Sequence, residues 1–150
     1  MTHTVDERVE FLESLLREDP TTLEKIGLQK KDLDAMAYLG RVAFESERYD
    51  QAVAIFSALE ALQPYRARVL LFRAEAEKAA GRSAEAFATV TRFLARESPG
   101  LTGDYTRGLL LRACLWPEED QGEAVHDLRA AQFLAQHDEE ARQVLAEVGL

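Results

Sequence analysis

The chain has 150 residues, 47% of them apolar and 30% charged, which suits one soluble, globular domain and excludes a disordered chain. Its formal charge of −9 opposes a non-specific grip on nucleic acid or an anionic membrane. The single cysteine, Cys114, excludes an internal disulfide framework and fits a reducing cytosol.

The N-terminal stretch "MTHTVDERVEFLESLL" carries acids where a signal peptide would carry a basic start and an unbroken apolar run, and no stretch approaches the length of a membrane span. A cytoplasmic location follows as the expectation. Residues 5–18 place Val5, Val9, Leu12 and Leu16 on one helical face, widened by Phe11 and Leu15. Asp19-Pro20 ends that helix, because proline disfavours helix in the residue before it. Thr21 with Glu24 reads as a capping box for the short turn "TTLEKI", closed by Gly27.

Further helices are predicted over about 31–46, 50–62, 66–80, 83–96, 104–115, 121–136 and 138–148. Pro64, Gly81, Pro99-Gly100 and Trp116-Pro117 supply the stops. An Asp-Glu-Glu run at 138 suits the start of the last helix. No segment alternates with period two, so the expected fold class is all-α.

Helices of similar length with short joints raise the question of repeats. Three alanines, Ala52, Ala86 and Ala124, head similar segments: "YDQAVAIFSAL", "SAEAFATVTRF" and "QGEAVHDLRAA". The apolar residue four positions after each is Phe56, Val90 and Leu128. The first spacing is 34 residues and the second 38. Leu39, Gly40, Tyr49, Ala52, Phe56, Leu62 and Pro64 fall on the tetratricopeptide pattern. The resulting reading is one tetratricopeptide-like domain of about three helical hairpins, 33–66, 67–100 and 105–137, with an extra N-terminal helix and a C-terminal capping helix over 138–148. The third repeat has a longer turn, "WPEEDQG", and there Arg112 or Ala113 is expected at the small-residue position held by Gly40 and Ala74.

Catalytic groupings are not apparent. His126 and His137 lack the i, i+4 spacing of a helical metal pair, and no phosphate loop, glycine-rich fingerprint or zinc-knuckle spacing occurs. Cys114, in "LLLRACLW", reads as a buried structural thiol, and Trp116 as packed at the end of its helix. The expectation is a non-catalytic chain with no cofactor and no metal.

In stacked hairpins one helix of each pair lines a concave face, whose outward residues no core partner explains. The lining positions here are Asp34, Ala37, Arg41 and Phe44, then Arg68, Leu71, Glu75 and Lys78, with Tyr65 and Arg66 at the joint. Such a mixed apolar and charged surface suits an extended protein or peptide segment. The lysine and asparagine of the modules that clamp chaperone C-termini are missing: Ala37, Arg41, Leu71 and Glu75 stand in those places.

Through "TLEKI", "RYDQAVAIFSALEAL", the Tyr65–Arg68 joint, "AAG" and "EAVHDLRAAQFLA", the chain resembles the tetratricopeptide-type chaperones of type III secretion over roughly 22–136. The resemblance implies a holdase that keeps an extended segment of a membrane-active translocator client in the groove until export. It also implies a homodimer contact through the N-terminal region, with Val9, Leu12 and Leu16 as candidates, an intramolecular cap being the alternative for the same residues. Ala37 and Arg41 stand where the family has aromatics, and Phe72 replaces a small residue. A general adaptor or assembly scaffold that binds a folded partner is the competing reading.

Overall fold

The computed structural model describes residues 27–63, 66–96 and 102–150. The predicted helix over 5–18, the turn 21–26 and Tyr65 lie outside them. The described residues form seven α-helices and one short 3-10 turn, with no strand among them. In chain order they are α1 (Lys30–Glu45), α2 (Tyr49–Leu62), α3 (Ala67–Ala79), α4 (Ser83–Leu94), α5 (Thr102–Leu115), the 3-10 turn Glu118–Asp120, α6 (Gln121–His137) and α7 (Glu139–Glu147). The chain divides at Arg82 into two compact units, and the division falls inside the span 67–100 expected as the second repeat.

In the first unit α2 packs against both α1 and α3. Its apolar residues Ala52, Val53, Phe56, Leu59 and Leu62 are buried, together with Leu33 and Ala43 of α1 and Val69 and Ala76 of α3. Phe56 alone removes enough apolar surface from water to contribute roughly 2–3 kcal/mol. Gly40 explains the closeness of α1 to α2: a Cβ there would lie 2.7 Å from Cε1 of Phe56. Arg73 of α3 donates to Glu60 of α2 at 2.5 Å, and its Nε lies 3.6 Å from the buried Glu77, tying α3 to α2 with charge.

In the second unit α5 packs against α4, α6 and α7, and α6 packs against α7. Gly108 repeats the device of Gly40. A Cβ at Gly108 would lie 2.8 Å from the ring of Phe93 in α4. Gly40, Ala74 and Gly108 are all buried and each follows the last by 34 residues. Gly108, rather than Arg112 or Ala113, is the small residue at which α5 approaches α4 closely. The 38 residues from Ala86 to Ala124 include the connection after α5 that holds the 3-10 turn Glu118–Asp120. Arg112 is instead engaged in an ion pair with Asp127.

Helix ends follow local chemistry. Asp138 caps α7 by accepting the Ala141 N–H at 3.0 Å, as its Asp-Glu-Glu start suggested. At the C-terminus of α3, Gly81 (φ +82°) lets its own N–H reach the Lys78 carbonyl and that of Arg82 reach Glu77. Gly149 closes α7 by the same paired bonds, Gly149 to Ala146 and Leu150 to Leu145. The end of α1 repeats them with Glu47 to Phe44 and Arg48 to Ala43, but there the left-handed residue is Glu47 (φ 62°).

Candidate functional site

The groove residues that fall within the described chain all belong to the first unit, on α1, α3 and the residue before α3. They do not contribute equally. Arg41 and Phe44 of α1, with Glu45, meet Phe72 and Glu75 of α3 over the ring of Phe56, around a small open cleft of about 50 Å³. The Arg41 guanidinium lies over the Phe72 ring, 4.9 Å from its centroid. That distance gives a cation–π contact, which holds the arginine stem along the apolar wall while its head stays exposed. Phe72 in turn packs on Phe56, with centroids 5.6 Å apart, and Phe44 meets the edge of Tyr49 at 5.5 Å. The floor is thus built from packed aromatic rings whose positions the core sets.

Leu71 does not line this cleft. It is only 1% exposed. It shares a helical face with Ala67, four residues before it, and Ala74, three after, both buried. Phe72, one residue and about 100° further round the helix, takes the lining place beside Arg68 and Glu75. In the sequence Phe72 stands out only as a departure from a small residue. The signal that identifies it is its i+4 and i−3 relation to Arg68 and Glu75, both outward-facing choices.

Asp34 and Arg66, both assigned to the groove, are brought together. Arg66 Nη1 lies 3.5 Å from Asp34 Oδ1 and donates to Gln63 at 3.1 Å. This bridge joins the start of α1 to the start of α3, so Arg66 explains part of the basic joint as a strut. Both side chains are about half exposed, which makes the pair worth little to stability and leaves it open to exchange with a ligand carboxylate. Ala37 is half-buried against the core, and Arg68 and Lys78 are exposed on α3.

At about 50 Å³ the cleft is far smaller than the several hundred Å³ of a cofactor pocket. It has room for one small side chain, with charges of both signs at its rim. Among the described residues no group of three or more His, Cys, Asp or Glu side chains is placed to hold a metal ion. No helix among them is long and apolar enough to cross a membrane.

In the second unit Cys114, expected buried, is exposed. It lies two turns after Arg107, which is exposed and paired with Glu147 at 2.9 Å, and so shares the outward face of α5. Trp116 is half-buried against the edge of Phe87, with centroids 4.7 Å apart, and its indole N–H donates to Asp127 at 2.7 Å. That N–H therefore has a partner within the unit.

Compared with protein-family models, with curated proteins and with solved structures, the chain finds no match.

Proposed function

We propose that this chain is a protein-binding module of tetratricopeptide-like hairpins that takes an extended segment of a client across α1 and α3. The observation that carries the reading is the cleft over Phe56 and Phe72, narrow enough for one side chain and rimmed by Arg41, Glu45 and Glu75. Aromatic walls accept a small apolar side chain, and the charged rim pairs with the groups flanking it; alternating pockets and polar contacts are how an extended segment is read. The 34-residue spacing of Gly40, Ala74 and Gly108 supports the repeat.

The narrower form of the proposal is a cytoplasmic chaperone of the type III secretion class, holding a translocator-type client unassembled. Its support is the sequence resemblance together with an acidic, helical chain whose cleft admits a segment rather than a folded domain. The test is co-expression with a membrane-active, translocator-type client. A soluble complex is expected, weakened by Phe72→Ala, Arg41→Glu and Tyr65→Ala with helicity unchanged. A client that stays insoluble, or a complex indifferent to Phe72→Ala and Arg41→Glu, refutes this form. An NMR titration of the full chain with extended peptides, each bearing one small apolar residue, tests the broader form. Shifts must centre on Phe44 and Phe72.

One observation favours the adaptor reading instead. Phe133 on α6 is 61% exposed and stacks edge-on with His137, 4.9 Å between centroids, offering a folded partner a flat aromatic contact. Loss of partner binding in Phe133→Ala, with the cleft variants unaffected, would select it.

A further inference from the structure

Helix α1 carries a second stripe besides the one packed into the first unit. Its buried side holds Leu33, Gly40 and Ala43. On the opposite side Lys31, Ala35, Tyr38, Val42 and Glu45 follow at spacings of four, three, four and three residues, and all five are exposed. At 100° per residue they fall within about 80° of one another, so they form one seam. Leu39, 56% exposed, flanks Tyr38, which is 69% exposed. Alternating steps of four and three are the spacing by which one helix meets another along its length.

The charges at the ends of the seam say which helix fits it. Lys31 lies seven residues before Tyr38, and Glu45 lies seven residues after it. Lys31 stands in the first turn of α1 and Glu45 in its last, each at the helix end whose partial charge has its own sign. The dipole of α1 therefore disfavours both. This symmetric placing is self-complementary. A second copy of α1, running antiparallel about a two-fold axis at Tyr38, sets Tyr38 against Tyr38. The same axis brings Ala35 beside Val42 and Lys31 beside Glu45, each pairing occurring twice. Both charges then meet an opposite charge and the favourable end of a neighbouring helix dipole. A parallel pairing would set lysine on lysine and glutamate on glutamate.

We propose that this chain pairs with a second copy of itself through the outer face of α1, antiparallel about Tyr38, with Lys31 of each copy beside Glu45 of the other. The apolar part of the seam, Ala35, Tyr38, Val42 and the flanking Leu39, is small beside the roughly 800 Å² that each partner gives to a stable interface. The dimer is accordingly weak and fills at high concentration. Glu45 also belongs to the cleft rim, so the test reads oligomeric state with no client present.

Sedimentation of the full chain, from a few to several hundred micromolar, reads the pairing directly. A concentration-dependent equilibrium of monomer and dimer is expected. Tyr38→Glu sets two carboxylates against each other at the axis and should leave monomer alone. Lys31→Glu turns both interchain ion pairs into like-charge contacts and should raise the dissociation constant by about tenfold. Glu45→Lys should do the same. The double variant Lys31→Glu, Glu45→Lys restores opposite charges and should return close to the parent value. A chain that stays monomeric throughout overturns the proposal. So does a dimer indifferent to Tyr38→Glu, or one that the double variant fails to restore. The charge variants alter exposed side chains and decide the matter if Tyr38→Glu loses helicity. Cross-linking gives a further reading in a Cys114→Ser chain. Tyr38→Cys should form an interchain disulfide several-fold faster than Gln132→Cys of the second unit, and equal rates refute the pairing.

Discussion

Asp127 accepts two hydrogen bonds from the guanidinium of Arg112, from Nε at 2.8 Å and from Nη2 at 2.7 Å, and a third from the Trp116 indole at 2.7 Å. The carboxylate side chain is 3% exposed, while the arginine is 22% exposed. Asp127→Ala leaves an arginine in a half-buried place without its counter-charge and strips the indole of its acceptor. The expected cost is about 3 kcal/mol, read as a lowered urea midpoint for the loss of Trp116 fluorescence. A midpoint unchanged from the parent chain would show that the three bonds add nothing net.

The same group sets an acid limit. Burial by itself would push the Asp127 carboxyl up, but the hydrogen bonds from Arg112 and Trp116 and the arginine charge outweigh it and hold the carboxyl below its ordinary value of 3.8. The folded state therefore binds this proton less readily than the unfolded chain. The stabilisation is whole above about pH 4 and is lost as the pH falls through the lowered folded value. Urea midpoints followed through Trp116 should decline below pH 4 in the parent chain, and more shallowly in Asp127→Asn, which has no proton to take up there.

Gly40→Ala and Gly108→Ala should each destabilise, by about 1–3 kcal/mol, because a methyl would press within 3 Å of a buried phenylalanine ring. Gly122→Ala, in the first turn of α6 with open space around it, should be neutral or stabilising by up to about 0.5 kcal/mol. Thermal melts by circular dichroism separate these outcomes. Phe56→Leu combined with Gly40→Ala should recover part of the loss, since the clash is with that ring.

Glu47 occupies the left-handed position that glycine holds at Gly81 and Gly149, in the same paired hydrogen-bond pattern. A side chain there costs roughly 1 kcal/mol. Glu47→Gly is expected to stabilise the first unit by about 0.5–1 kcal/mol, somewhat less than the strain relieved, because the added glycine also loosens the unfolded chain. A fall in melting temperature would mean that the Glu47 side chain contributes more than its backbone costs.

The helices were legible because their stops are chemical. α1 to α7 begin and end within two residues of where Gly81, the break at 116–117 and the Asp138 run put them. The faces were harder. Leu71 and Phe72 are adjacent apolar residues, and only the buried neighbours Ala67 and Ala74 decide which of them turns inward. Cys114 sits in an apolar run, yet it faces outward, since α5 is covered from some sides and left open on the one shared with Arg107. Asp127 carried no local mark at all. Its meaning comes from Arg112 and Trp116, 15 and 11 residues away, which only the packing of α5 on α6 brings within reach.

The turn between α5 and α6 also has a practical meaning. Gly40 and Gly108 are both places where a Cβ would press on a phenylalanine ring, and the connection after α5 runs beyond Gly108 around the exposed Glu118 and Glu119. An epitope or a fluorescent-dye loop spliced between those two exposed glutamates would ride outside the packed seams of the second unit, making this corner a natural port for labelling the protein.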